Sequence, residues 1–182
     1  MRGVRSADPG LVGEGSMKTQ DALSLLAALE ERVGRVYFQF YCLFREDPVV
    51  ARCWWEMARE EHGHAGILKM VRELVAPAAE CREIGPRLWS LVETVERCEH
   101  QALEVDSLTR ALELAIRLES SELDALGHRV LQSMGTELPE GAAQHFLATA
   151  AHCRRLVEAA EKVPDRRVRR RLEAMLAGPH EA

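Results

Sequence analysis

The run Glu61-His62-Gly63-His64, set inside a helical pattern, constrains this chain more than any other feature. Residues three apart on an α-helix share a face, so Glu61 and His64 point the same way and can grip one ion. Upstream lies Glu30, and further on a related pair, Glu119 and His152. Glu30 and His64 are 34 positions apart, Glu119 and His152 33, each span running from the middle of one predicted helix to the middle of the next. Helix pairs of this kind stack so that facing mid-helix residues meet. A Glu from each of two helices, with an E-x-x-H from each of the other two, is one way a helical bundle holds two metal ions. The second half departs from that pattern, because Thr149 stands where its E-x-x-H glutamate would be.

Strand signals are nearly absent and apolar residues recur at three and four, so the fold class read from the sequence is all-α. Helices are predicted over 19–44, with Thr19 as N-cap, and from Asp47-Pro48 to just before Pro77. Gly85-Pro86 opens a crossover helix reaching about Val105. A long helix over 108–134 and another over 139–162 follow, and Pro164-Asp165 starts a short basic helix. Three units result: a flexible extension over 1–17, a bundle over 18–162, and a basic helix and tail over 163–182. Gly63 and Gly66 are expected to let helices approach closely.

Composition narrows the function classes. At 182 residues the chain is about one domain, and 47% hydrophobic with 29% charged residues is ordinary for a folded globular protein. A formal net charge of −5 argues against a general nucleic-acid binder. No apolar run approaches the roughly 20 residues that cross a bilayer. The five cysteines lack C-x-x-C spacing and read as small buried residues in a reducing compartment. Residues 1–16 lack the apolar segment of a secretory signal, Met17 is an alternative start, and the cytoplasm is the expected location. The Arg-rich stretch after Lys162 reads as a solvated amphipathic helix with Val168, Leu172 and Met175 packed inward. Trp54, Trp55 and Trp89 are expected in the core or in a dimer contact.

At about 100° per residue Tyr37 returns to the face of Glu30, a stripe otherwise made of Leu23, Val33 and Phe40. A carboxylate there is costly unless it meets a cation or is protonated. Glu61 and His64 share a stripe with Trp54, Met57 and Leu68. Taken singly, each of these residues is as well explained by a structural polar contact; taken together, they favour a metal. Glu119 and Glu122 lie beside Ile116 and Leu126, although a solvated stripe with Glu113 would explain them too. His152 shares a face with His145, Thr149 and Leu156, where a structural core or surface histidine would explain it too.

The segments ALEERVGRVYFQF, WWEMAREEHGHAGIL and ALELAIRLESSELDAL, with a weaker FLATAAHCRRL, cover most of residues 19–162. On them the chain resembles the ferritin-like superfamily and, within it, the rubrerythrin-type di-iron domain. The resemblance implies a ferritin-like four-helix bundle with a crossover helix and a short C-terminal helix. It carries metal-ligand roles to Glu30, Glu61, His64, Glu119, Glu122 and His152, with Tyr37 hydrogen-bonded to a ligand carboxylate. The implied cofactor is iron, two ions or one, with manganese as a substitute. The implied chemistry is Fe(II) oxidation coupled to reduction of peroxide or dioxygen, with an external electron donor and a homodimeric assembly, and without nucleic acid or membrane as partner. Thr149 and the absence of any C-x-x-C pair are departures. They leave two other readings open: a metal-depleted bundle serving as a structural or protein-binding module, and iron storage or delivery without turnover.

Overall fold

Asp47 followed by Pro48 is a helix start written into the chain. In the structure, a computed structural model, the Asp47 side chain accepts from the backbone N–H groups of Val49 and Val50 at 2.9 and 3.2 Å, with Pro48 at the first helical position. Residues 17–76, 79–81, 84–121, 123–133 and 149–177 are described. Among them the chain is all-helical apart from a two-residue ladder: β1 (Met17–Lys18), α1 (Thr19–Leu43), α2 (Pro48–Leu74), β2 (Glu80–Cys81), α3 (Gly85–Ala102), α4 (Leu108–Glu119), α5 (Leu123–Ser133), α6 (Thr149–Ala160) and α7 (Arg166–Ala177). No described helix is long and apolar enough to cross a membrane.

The apolar stripes meet as their periodicity requires. Helix α1 buries Leu23, Leu26, Leu29, Val36, Tyr37 and Phe40, while α2 buries Trp54, Met57, Leu68 and Val71 against it. Trp54 stacks on Tyr37 at 5.8 Å between ring centroids and meets Phe40 edge-on at 5.1 Å. A fully buried side chain of this size contributes roughly 1.5–3 kcal/mol through lost water contact. Leu112 and Ile116 of α4 and Leu156 of α6 complete the core around the site. Helix α7 lays Val168 and Leu172 on α4 and α6 and leaves most of its arginines outward.

Several expectations are corrected. Thr19 is not the N-cap: Lys18 holds that position, and the Thr19 N–H donates to the Ala79 carbonyl beside the antiparallel β1–β2 ladder. The single helix expected over 108–134 is interrupted after Glu119. There the Ser120 N–H still makes the helical bond to the Ile116 carbonyl, but the Ser121 N–H goes to the Leu118 carbonyl at 2.9 Å and the Ser121 hydroxyl donates to the same oxygen at 2.5 Å. Such side-chain bonds compete with the helical ladder and end it. Cys53, Cys98 and Cys153 are buried as anticipated, whereas Cys42 is exposed. Trp54 is in the core, but Trp55 and Trp89 are 49% and 60% exposed. The extension over 1–16, Glu122, residues 134–148 with the start of the 139–162 helix, and the end of the tail lie outside the described residues.

Close helix approach is made at Gly34, not at Gly63 or Gly66. A Cβ on Gly34 would lie 2.6 Å from His62 Nδ1 and 3.3 Å from the Ala58 carbonyl oxygen, whereas nothing lies within 4 Å of one added at Gly63 or Gly66. His62 Nδ1 itself sits 2.7 Å from the Ala58 carbonyl. Gly34→Val therefore displaces His62 and presses on α2, costing about 1–3 kcal/mol. Gly63→Ala gains up to about 1 kcal/mol of helix propensity with no clash. Urea unfolding of the two variants should shift in opposite directions, and an unchanged Gly34→Val midpoint would contradict the packing.

Candidate metal centre

Four helices bring five polar side chains into the core. Glu30 comes from the middle of α1, Glu61 and His64 from the middle of α2, Glu119 from the last residue of α4, and His152 from α6. Glu30, Glu61, His64 and His152 are buried, and the Glu119 side chain is only 4% exposed. The 3.6-residue repeat produces this directly: each of these residues falls on the apolar stripe of its helix.

The geometry divides into two groups that share one member. Glu61 Oε2 lies 3.3 Å from His64 Nδ1, and Glu30 Oε2 lies 3.9 Å from the same nitrogen. On the other side Glu61 Oε1 is 3.6 Å from His152 Nδ1, which is 3.1 Å from Glu119 Oε2. The imidazole rings are 6.1 Å apart. Glu30, Glu61 and His64 form one set of donor atoms, and Glu61, Glu119 and His152 form another, each with its atoms within 4.8 Å of one another. Both sets can hold a metal ion, and Glu61 belongs to both with a different oxygen. Anionic oxygens with neutral imidazole suit iron, manganese or zinc, so the donor set fits a divalent transition metal.

Around the centre, Tyr37 donates its hydroxyl to Glu119 Oε1 at 2.6 Å. A cavity of about 10 Å³ touches Glu61 and Glu119 and is otherwise walled by Val33, Leu118 and Leu123. That volume is at the lower limit for one water molecule.

In the metal-free state the cluster holds protons. Burial raises the Glu61 carboxyl, the charges of Glu30 and Glu119 add to this, and together they outweigh His64 and His152 to leave it at about 8. Burial opposes charge on both histidines, yet their carboxylate neighbours prevail. Glu30 and Glu61 lift His64 to about 11, and Glu119, Glu60 and Glu61 lift His152 to about 12. Imidazolium thus occupies electrostatically the place that a cation would take.

Sequence reasoning missed Glu60, Glu56 and Arg155. Glu60 Oε2 sits 2.7 Å from His152 Nε2, and Arg155 reaches both Glu60 oxygens at 2.8 and 2.6 Å and Glu56 at 2.9 Å. Burial raises the Glu60 carboxyl, but the hydrogen bonds and charges of His152 and Arg155 more than offset this and hold it at about 2. The signal was present in spacing alone: Glu56 and Glu60 are four apart on α2, and His152 and Arg155 three apart on α6. Glu122, the sixth anticipated ligand, lies outside the described residues. No family model matches this chain, and no curated protein or solved structure matches it either.

Proposed function

We propose that the chain is a rubrerythrin-like non-haem iron protein on a ferritin-like four-helix bundle, and that it couples Fe(II) oxidation to reduction of peroxide or dioxygen. The observation that carries this reading is Glu61, whose two oxygens face two separate Glu/His sets inside a buried helical core. Buried charges of this kind are costly unless paired or metal-bound, which is a reason to place a cation among them. The resemblance in the E-x-x-H helix and its partners points the same way.

Glu30 and His64 would hold one ion and Glu119 and His152 the other, with Glu61 between them. Bound iron supplies the electrons for reducing a small oxidant. The protein's own groups do the rest. Tyr37 fixes the Glu119 carboxylate by its short hydrogen bond. The apolar side chains of Val33, Leu118 and Leu123 wall the small cavity beside Glu61 and Glu119. In this reading electrons come from an external donor. The reading keeps a homodimer as its assembly.

A second reading, a polar core that has given up its metal, is favoured by Thr149 and by how well the histidines are already satisfied by carboxylates. Anaerobic Fe(II) loading, desalting and elemental analysis separate the two. Two irons per chain, or one with manganese as a competitor, supports the metal centre, and peroxide consumption should follow loading. A value near zero with an unchanged melting temperature would replace it with the structural module.

A further inference from the structure

In the E-x-x-H pattern the histidine has a carboxylate three residues before it on its own helix, as His64 has Glu61 at 3.3 Å. His152 has Thr149 at that position. All its carboxylate neighbours come from other helices, and Glu60 of α2 meets Nε2 at 2.7 Å, on the edge of the ring facing away from Glu61 and Glu119. We propose that Glu60, clamped by Arg155, is a positioning residue that fixes the His152 ring with Nδ1 turned into the metal centre. This rests on the metal reading for its function, although the ring orientation itself does not.

The argument is one of donors and acceptors. An ionised carboxylate only accepts, so the Nε2 of His152 must carry a hydrogen to bond Glu60. In the neutral ring this leaves the Nδ1 lone pair facing Glu61 and Glu119, the form a metal needs. Glu60 could not impose this if it swung freely. Arg155 holds it by both oxygens while its Nε grips Glu56 one turn earlier on α2. The planar fork suits such two-point contact, and a lysine there would not reproduce it. Glu60 and Arg155 are each 22% exposed and His152 is fully buried, so the clamp sits at the rim and orders a residue inside. A partner behind a metal-binding histidine typically changes affinity by about 10- to 100-fold when removed.

The test compares wild type, Glu60→Ala and Glu60→Gln by anaerobic Co(II) titration, and by proton–nitrogen NMR of the histidine rings without metal. Wild type should bind two Co(II) ions and show a slowly exchanging His152 Nε2–H resonance. Glu60→Ala should keep one tight ion, weaken the other by about 10- to 100-fold, and lose that resonance. Glu60→Gln, whose amide oxygen still accepts, should restore both. A clamp that served only to stabilise the fold would lower the melting temperature and weaken both ions alike, which would overturn the proposal. So would two wild-type affinities and a retained resonance in Glu60→Ala. If wild type binds no Co(II) while the resonance depends on Glu60, the metal reading falls and the ring-fixing role stands.

Discussion

Glu61→Gln removes metal binding from both halves of the centre at once, whereas Glu30→Ala or Glu119→Ala removes it from one. The asymmetry follows from Glu61 facing His64 with Oε2 and His152 with Oε1. Glutamine keeps the shape but offers one neutral oxygen and an N–H₂ that repels a cation, so neither set retains its full donors. The expected result is a fall from two bound Co(II) ions to fewer than one, with each affinity down about 100-fold or more, since a side chain that touches the ion should matter at least as much as one behind it. The metal-free protein should remain folded, because burial holds the Glu61 carboxyl largely protonated at neutral pH and the amide is neutral and of nearly the same shape. Peroxide consumption, where wild type shows it, should vanish with the metal. Titration and circular-dichroism melts check both halves of the claim. Loss of a single ion in Glu61→Gln would mean that Glu61 is not shared.

The second large effect is with pH: rising pH weakens the metal-free fold and tightens metal binding. His64 and His152 are raised from an ordinary 6.5, so their contribution to the folded state is fully present below that value and is lost as pH rises through about 11 and 12. Glu61 is raised from 4.5 to about 8, so its contribution is complete below 4.5 and disappears as pH rises through 8. Between pH 6 and 9 the metal-free protein should therefore melt at progressively lower temperature. A metal must displace those same protons, and each proton displaced per ion tightens binding about tenfold per pH unit. The gap in melting temperature between Co(II)-loaded and metal-free protein should widen across that range. A gap that stays flat would show that binding displaces no protons and that the ion sits elsewhere.

Much of this arrangement was legible in the chain. The inward faces of Glu30, Glu61 and His64 followed from periodicity, because each lies on a stripe of residues that water disfavours, whereas His152, on a face with His145 and Thr149, was placed by the resemblance. Asp47-Pro48 marked its helix start because capping is a local interaction. What escaped was of two physical kinds. The break after Glu119 left no trace in the pattern, since Ile116, Leu123 and Leu126 keep a helical apolar repeat straight across Ser120 and Ser121. The clamp of Glu60 and Arg155, and the close approach at Gly34 rather than Gly63, depend on which helix lies against which flank. Periodicity tells which way a side chain faces; it does not tell what it meets there. The two-residue ladder of Met17–Lys18 with Glu80–Cys81 is too short to leave any pattern.

The break after Glu119 would also give two bound ions unequal lifetimes. Glu30, Glu61 and His64 sit in mid-helix, where release requires unravelling several turns of α1 or α2. Glu119 is the final residue of its helix, tethered onward only through a turn. Helix ends open at far lower free energy than helix middles. An ion on the Glu119 side would thus be held by a door with one hinge, exchanging with solvent while a neighbour on the Glu30 side stayed put.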